Sequence, residues 1–476
     1  MDSARDAHGT LRETLFDALR SRAEPLLVGE GFGIPAASLW TGARTWVNRF
    51  RAAGLRPGER VVLALPRSPA FIMAMVAAWW EGLTVCPVPE AQADRAEDLL
   101  GAFDASALIA LREGRHVLGP TAAGGASESR FCVRASGAPT EGVALIMTTS
   151  GTSGNPTRVA LSFSNLLHQL ESHTRALGLT RSDRVLSVLP WHHAFGLLVE
   201  LWPALLSGAS VFTEGSEGRA PESVVRAAEA HEVTWISLVP LQAQSLAETP
   251  GGRALLDRVG GVVGGAPISA SLASILRGTR LRVGYGQTEA SPGITLGAPG
   301  VFVAGSLGKP LGCETRVEAG ELLVRGKNVC AGVWRDGALR RLDPNRWLET
   351  GDLVEETAGG LVFVGRVDQR FKLSNGKMID APSLERAIER VVPGCEAVVS
   401  PAADTGFRVA LVGGGGPLDE GVERAVRSAL GPVCRYLVGI DRLMDGSPLR
   451  TRKGEIDRGV LIKAGACGDP ISTIAA

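Results

Sequence analysis

The chain has 476 residues, which is too long for one compact core and predicts two or three domains. Lys plus Arg and Asp plus Glu each total 50, so nothing in the net charge indicates nucleic acid or an anionic membrane as a partner. The seven Cys are scattered without a CxxC pair, which favours a reducing cytoplasm. The longest apolar run, residues 70–80, is shorter than the roughly 20 residues of a membrane span and predicts a buried helix.

Short apolar segments alternate with helical segments along the first part of the chain, after a polar, amphipathic helix at the start. The predicted strands are residues 61–65, 185–189, 209–212 and 234–238, and the predicted helices include residues 41–53 and 223–230. This alternation indicates an α/β domain with mostly parallel sheets. After about residue 300, Gly-punctuated strands at 320–326 and 359–365 predict a β-rich subdomain.

A smaller α+β pattern follows Arg366. It consists of a helix at residues 383–390, strands at 397–400 and 409–412, and a helix at 419–430. We therefore predict a large N-terminal domain over residues 1–366 and a small C-terminal domain over residues 367–476.

The segment TTSGTSGNPTR, residues 148–158, follows the apolar run 143–147. Small residues and hydroxyl groups directly after a strand let successive backbone NH groups close on a polyphosphate. The segment is not a GxxxxGK[ST] loop, because no Lys-Ser/Thr follows the glycines. It predicts a phosphate-binding loop made of Thr149, Ser150, Gly151, Thr152, Ser153 and Gly154.

This loop resembles the Ser/Thr/Gly-rich signature of the adenylate-forming superfamily, which includes acyl-CoA synthetases, amino-acid adenylation domains and luciferases. Further segments match that family in order and spacing: LPWHHAFG (189–196), GGAP (264–267), GYGQTE (284–289), ETGD (349–352), GRVDQRFKLSNG (365–376) and TRKGEIDR (451–458). The resemblance covers residues 38–458 and is closest in wording to acyl-CoA synthetases. It implies a large α/β domain and a mobile α+β lid, with the active site in the cleft between them and a hinge at Asp368.

The resemblance implies an AMP-forming acid–thiol ligase that uses ATP and Mg²⁺ to activate an organic acid as acyl-AMP. A thiol then takes the acyl group, most simply that of CoA; the phosphopantetheine arm of a carrier protein or an amine are alternative acceptors. Amino-acid adenylation domains carry an Asp at the position of Gly196, so an α-amino acid is disfavoured. The wording FKLSNGK favours an apolar acyl chain, as in fatty acid metabolism.

Site residues follow from the same resemblance. The adenine seat would comprise Gly265, Ala266, Pro267, Tyr285 and Gly286, and the nucleotide site would also include Gln287, Thr288, Asp352, Arg366 and Lys372. Thr288 would touch the α-phosphate, and Glu289 with Thr152 would hold Mg²⁺, which prefers oxygen ligands. Asp352 would accept both ribose hydroxyls, since a carboxylate accepts two hydrogen bonds at once, and Arg366 would assist. The acyl and thiol tunnel would be lined by His193, Phe195, Gly284 and Gly376.

The resemblance implies that Thr152, His193, Glu289 and a cation near the C-terminus carry out catalysis. This chain departs from the family pattern at two of its motifs. The loop carries Thr157-Arg158 where Lys-Gly is usual, and Arg158 would stand in for the Lys. Near the C-terminus Glu455 replaces the Lys that contacts the α-phosphate and the carboxylate. In an extended segment Lys453 would face the same side as Glu455, two residues later, and would supply the missing ammonium group. The alternative is that Arg450, Arg452 and Lys453 form a solvated basic patch. If no cation serves, the chain would bind nucleotide or acyl groups without adenylating them.

Overall fold

The structure, a computed structural model, describes residues 2–20, 25–29, 32–111, 129–133, 139–149, 157–213, 220–335, 337–373, 377–402, 406–414, 417–443 and 456. Contacts divide the chain into two compact units. Unit 1 comprises Met1–Thr315 and Val324–Leu348, and unit 2 comprises Arg316–Leu323 and Glu349–Ala476. The domain boundary at residues 366–368 and the hinge at Asp368 stay predictions.

Helices and strands alternate along unit 1, whereas unit 2 is richer in strands. The helices are α1 (Asp2–Arg20), α2 (Ala36–Ala52), α3 (Pro69–Trp80), α4 (Ala96–Phe103), α5 (Phe163–Leu177), α6 (Trp202–Ser207), α7 (Pro221–Ala230), α8 (Pro240–Glu248), α9 (Gly252–Arg258), α10 (Ala270–Leu276), α11 (Ala381–Val391) and α12 (Glu420–Leu430). Short 3₁₀ turns cover Glu90–Gln92, Thr288–Ala290, Val367–Gln369 and Gly431–Tyr436, and a π-helical turn covers Gly196–Leu201.

The strands are β1 (Pro25–Gly29), β2 (Phe32–Pro35), β3 (Arg60–Ala64), β4 (Thr84–Pro87), β5 (Ala107–Leu111), β6 (Ser129–Val133), β7 (Val143–Thr149), β8 (Thr157–Ser162), β9 (Arg184–Ser187), β10 (Ser210–Thr213), β11 (Trp235–Ile236), β12 (Gly260–Gly264), β13 (Arg280–Gly286), β14 (Gly293–Leu296), β15 (Ser306–Pro310), β16 (Glu314–Glu318), β17 (Glu321–Arg325), β18 (Gly332–Arg335), β19 (Ala338–Arg341), β20 (Leu348–Thr357), β21 (Gly360–Arg366), β22 (Arg370–Lys372), β23 (Met378–Asp380), β24 (Cys395–Ala402), β25 (Gly406–Gly413) and β26 (Leu437–Leu443).

Unit 1 contains two sheets with parallel centres. In the first, the strands follow the order β15-β14-β13-β12-β11-β9-β10-β1-β2, and the pairs from β13 to β10 are parallel. In the second, the order is β19-β18-β8-β7-β4-β3-β5-β6, with parallel pairs among β3, β4, β5 and β7. The predicted α/β class with parallel sheets is therefore confirmed.

Helix α3 shows how sequence pattern sets position in unit 1. It begins with Pro69, at a helix position where the missing NH group costs nothing. Residues 70–79 are all buried, since the helix has no polar face to turn towards water. The predicted buried helix is confirmed, and none of the helices in the described ranges combines the length and apolarity that a bilayer crossing needs.

Unit 2 contains antiparallel strands followed by an α+β segment. Strands β20 and β21 pair antiparallel, and β22 pairs with β23 in the same sense. In the three-stranded sheet β24-β25-β26 the first pair is antiparallel and the second is parallel. Apolar side chains of α11 and α12, including Ile388 and Val426, share one core with this sheet. The predicted small α+β domain is confirmed in its secondary structure.

Candidate active site

The predicted phosphate-binding loop begins where the β7–β8 hairpin ends. Thr149, the last residue of β7, pairs with Thr157 of β8, and its Oγ1 donates to the Thr157 carbonyl at 3.4 Å. The remaining predicted loop residues lie outside the described residues: Ser150, Gly151, Thr152, Ser153 and Gly154. The Arg158 guanidinium lies 5.0 Å from the centre of the Phe103 ring, in a cation–π contact. Its role as a replacement for the loop Lys stays a prediction.

Two Gly-rich motifs meet at one edge of the first sheet. Strands β12 and β13 run parallel, with Gly264 opposite Gly284, so GGAP and YGQTE leave the sheet side by side. In parallel α/β sheets, ligands bind at the carboxyl ends of the strands. Tyr285 and the four residues after it are half-buried, whereas Gly265 and Pro267 are exposed. This arrangement brings together the residues predicted to form the adenine seat.

Gly265 adopts a backbone conformation that other residues rarely take. Its φ of +88° is in the left-handed region, which Gly enters without steric cost. A Cβ there would lie 3.7 Å from Val239 Cγ1 and 3.8 Å from Phe195 Cδ1. Phe195, predicted from the tunnel motif, therefore lies next to the predicted adenine seat.

Glu289 lies in the 3₁₀ turn Thr288–Ala290, which the next part of the chain holds in place. The Cys330 NH group donates to the Glu289 carbonyl at 2.8 Å. Burial raises the pKa of the Cys330 thiol to about 11, and the negative charge of Glu289 adds to the effect. The Glu289 carboxylate thus lies near a thiol that stays protonated at neutral pH. Motif matching did not predict Cys330.

A row of buried polar side chains on α5 supports the same turn. Asn165 Nδ2 donates to the carbonyls of Lys327 at 2.7 Å and Val329 at 2.9 Å, immediately before Cys330. Gln169 and His173, one and two turns later, are also buried, and the His173 ring packs against Gly293. Burial lowers the pKa of His173 to about 4, so the ring is neutral at pH 7. The i, i+4, i+8 spacing of polar residues was the signal that could have identified them.

The His193 loop, residues 189–196, connects β9 to the π-helical turn. His193 is exposed and His192 is half-buried, and their ring centres are 4.5 Å apart. The His193 NH group donates to the Pro190 carbonyl at 3.2 Å, and the Leu197 NH group donates to the His193 carbonyl at 3.0 Å. The loop thus presents His193 to solvent from a hydrogen-bonded backbone.

In unit 2, three residues that were predicted separately form one ionic network. Asp352 of β20 lies opposite Arg366 of β21, whose Nη1 is 2.6 Å from Asp352 Oδ1. Arg366 Nε is also 3.3 Å from Asp368 Oδ1. Gly351 precedes Asp352 with φ +72°, and a Cβ there would lie 2.9 Å from Arg366 Nη2. The predicted assisting cation, Arg366, therefore contacts both the predicted ribose ligand and the predicted hinge residue.

The remaining predicted site residues are less informative. Lys372 is exposed on β22. Gly376, Lys453 and Glu455 lie outside the described residues. Within the described ranges, no group of three or more His, Cys, Asp or Glu side chains is arranged to hold a metal ion. A single carboxylate such as Glu289 still suits Mg²⁺, which usually binds through one or two carboxylates together with substrate phosphates.

Comparison with known proteins identifies the family of this chain. The chain matches the family of AMP-binding enzymes over residues 23–334. It is 30% identical to feruloyl-CoA synthase from Amycolatopsis sp over 383 residues, 74% of this chain and 76% of that protein. It is 34% identical to 2-succinylbenzoate–CoA ligase from Bacillus pumilus over 266 residues, 52% of this chain and 53% of that protein.

Among solved structures, ATP-bound MatB from Rhodopseudomonas palustris has a similar fold, with a TM-score of 0.77 and 21% identity. The alignment covers 95% of this chain and 98% of MatB. The fold and the family match together define an α/β enzyme of the AMP-forming ligase class. The chain belongs to the AMP-binding enzyme family, and the predicted adenylate-forming resemblance is confirmed.

Proposed function

We propose that this enzyme activates an organic carboxylic acid with ATP and then transfers the acyl group to the thiol of CoA. In the first step a carboxylate oxygen attacks the α-phosphorus, the bond to the β-phosphate oxygen breaks, and pyrophosphate leaves. In the second step the thiol sulfur attacks the acyl carbon, AMP leaves with the bonding electrons, and the thiol proton is released. The observation that carries the proposal is the pairing of Gly264 with Gly284, which joins GGAP to YGQTE within the family match.

The nucleotide-binding roles follow from the residue types at this edge and in unit 2. The Tyr285 ring offers a face for adenine, and Thr288 offers a hydroxyl donor to the α-phosphate. Asp352 would accept the ribose hydroxyls, with the Arg366 guanidinium fixing the carboxylate. Thr149 and the loop after it would bind the phosphates.

Mg²⁺ would be held by Glu289 and Thr152, and when bound it neutralises charge on the phosphates. Of these two residues, Glu289 is described, and its turn is fixed by the hydrogen bond from Cys330 to its carbonyl. This fixed backbone would keep the carboxylate directed at the phosphates without rearrangement. Fixed groups of this kind contribute most to catalysis because they need no reorganisation during the reaction.

We propose that the acid is apolar and lacks an α-amino group. Gly196 offers no carboxylate to an ammonium group, and the two named relatives are called after aromatic acids. Aryl acids are therefore the first candidates. Fatty acids are the second, because the sequence of residues 371–377 resembles that of fatty acyl-CoA synthetases. Apolar pockets separate neighbouring acids by only about 1 to 3 kcal/mol per methylene, so we expect a broad preference.

Pyrophosphate release from MgATP, measured across aryl, fatty and α-amino acids, tests the first step. We expect release with apolar acids and none with α-amino acids. Product analysis with CoA, a phosphopantetheinylated carrier protein and a simple amine then tests the acceptor. Nucleotide binding without pyrophosphate release for every acid would contradict the proposal. That result would support an alternative that Glu455 favours, a binding protein with impaired adenylation.

A further inference from the structure

Glu200 is a fully buried carboxyl group immediately behind the His193 loop. It lies in the π-helical turn Gly196–Leu201, and its exposed fraction is 0%. π-helical turns are rare and often occur at functional sites. Its neighbours in the sequence are apolar, so it would be expected to leave the core unless its carboxyl group found partners there.

Hydrogen bonds connect Glu200 to the end of strand β9 and to the His193 loop. Ser187 Oγ, at the end of β9, donates to Glu200 Oε1 at 2.6 Å. Trp191 Nε1, within the His193 loop, donates to Ser187 Oγ at 2.9 Å. The Ser187 hydroxyl therefore donates a hydrogen bond to Glu200 and accepts one from Trp191. This chain of hydrogen bonds fixes the start of the loop to the turn that follows it.

Other groups face the same carboxyl from neighbouring segments. The NH groups of Ser237 and Leu189 point towards it, and the positive charge of Arg67 acts on it. The Arg67 guanidinium donates to the Ser187 carbonyl. Within the described ranges, Glu200 Oε2 itself has no hydrogen-bond partner of good geometry. Burial raises the pKa of Glu200 to about 8, so the group is mainly protonated at pH 7.

The position of the His193 loop matters because its far end reaches the nucleotide motif. Phe195 lies beside Gly265, and His193 is exposed two residues before it. A displacement of about 1 Å in groups that position substrates can cost roughly 100-fold in rate. A buried side chain that fixes the loop can therefore influence catalysis without touching substrate.

We propose that Glu200 is a positioning residue, which holds the His193 loop through Ser187 and Trp191 and so sets where His193 and Phe195 meet the acyl group and the thiol. The proposal rests on the proposed function, because it assigns these two side chains to the acyl and thiol tunnel. An apolar residue would fill the same space without the cost of burying a carboxyl group. Glu200 differs from such an apolar residue because it forms hydrogen bonds that reach the loop.

The test compares E200Q, which keeps a hydrogen-bonding side chain of the same size, with E200L, which does not. The matched control is E385Q, because Glu385 is also buried and accepts from the Val399 NH group in unit 2. We expect E200L to raise the KM values for acid and CoA about 10-fold. We expect E200Q to recover most of that loss.

The pH profile separates positioning from simple support of the fold. The wild-type rate of thioester formation should fall as pH rises through about 8, because ionisation puts an anion behind the loop. E200Q cannot ionise and should lack that fall, whereas E385Q should keep it. If E200L does not fold, the E200Q profile alone decides. Kinetic constants and pH profiles of both variants that match those of the wild type would overturn the proposal.

A second readout does not depend on turnover. The Trp191 indole NH signal in an NMR spectrum, assigned with W191F, should titrate near pH 8 in the wild type and stay constant in E200Q. If the wild type activates no acid at all, the proposed function fails, and this signal still tests the link between Glu200 and the loop. A Trp191 signal that does not titrate in the wild type would reject that link.

Discussion

The guanidinium of Arg366 contacts the carboxylate of Asp352 across strands β20 and β21, with 2.6 Å between Nη1 and Oδ1. The Asp352 side chain is only 10% exposed, and its NH group donates to Thr350 Oγ1 at 3.1 Å. The neighbouring strand therefore holds the carboxylate, and a hydrogen bond to Thr350 holds the Asp352 backbone. A carboxylate fixed in this way can accept the ribose hydroxyls without first losing conformational freedom.

D352N should weaken ATP binding about 10- to 100-fold. Hydrogen bonds to charged groups contribute about 1.5 to 3 kcal/mol each, and the amide also offers an NH₂ group to Arg366 where an acceptor is needed. Isothermal titration with ATP measures the change. D98N, which alters an exposed ion pair with Arg95, serves as the control and should bind ATP as the wild type does. Equal affinity of D352N and the wild type would exclude Asp352 from the nucleotide site.

Substitutions at Lys453 and Glu455 test whether Lys453 supplies the cation for adenylation. K453A should lower acid-dependent ATP–pyrophosphate exchange about 10²- to 10³-fold, since the loss of one fixed charge stabiliser costs about 2.7 to 4 kcal/mol. The double variant K453A/E455K places an ammonium at the position usual for the family and should restore most of the exchange. Exchange that is unchanged in K453A would indicate that residues 450–453 are a solvated basic patch.

Asn165 links helix α5 to the segment that precedes Cys330. N165L removes its hydrogen bonds to the Lys327 and Val329 carbonyls and also its part in the capping box with Ser162. Buried acceptors left without partners cost about 1 to 3 kcal/mol, so we expect a clear fall in Tm. Pyrophosphate release should also fall, because the Glu289 turn loses its support. T41A, at an exposed position of α2, is the control, and an equal Tm for both variants would refute the supporting role of Asn165.

His173 should make stability fall at acidic pH. Its pKa is about 4 in the fold and 6.5 when unfolded, so the unfolded chain binds more protons between these values. The stability that neutral His173 contributes is thus fully present above pH 6.5 and is lost as pH falls towards 4. H173Q should lose less Tm than the wild type between pH 7.5 and about 4.5. Equal losses of Tm in H173Q and the wild type over this pH range would contradict the prediction.

The alternation of apolar and helical segments was enough to predict several strands and helices in each unit. The predicted strand at 209–212 is Ser210–Thr213, and the predicted helix at 419–430 is Glu420–Leu430. Local periodicity succeeds here because each element must place its own apolar side chains in a core. Strand 234–238 shortened to Trp235–Ile236, since strand ends depend on pairing partners that local pattern does not describe.

The sequence by itself determined the α/β class and the order of the family motifs, and it predicted Tyr285, Glu289 and Asp352 as candidate site residues. Those properties depend on residue types at short spacing, which a single chain displays directly. Only the tertiary structure decided that Asp352 contacts Arg366 and that Glu200 is buried beneath the His193 loop. In the sequence GLLVEL an isolated Glu indicates a surface position, and its partner Ser187 lies 13 residues earlier. Such contacts depend on strand register and helix placement, which the packing of the whole unit sets.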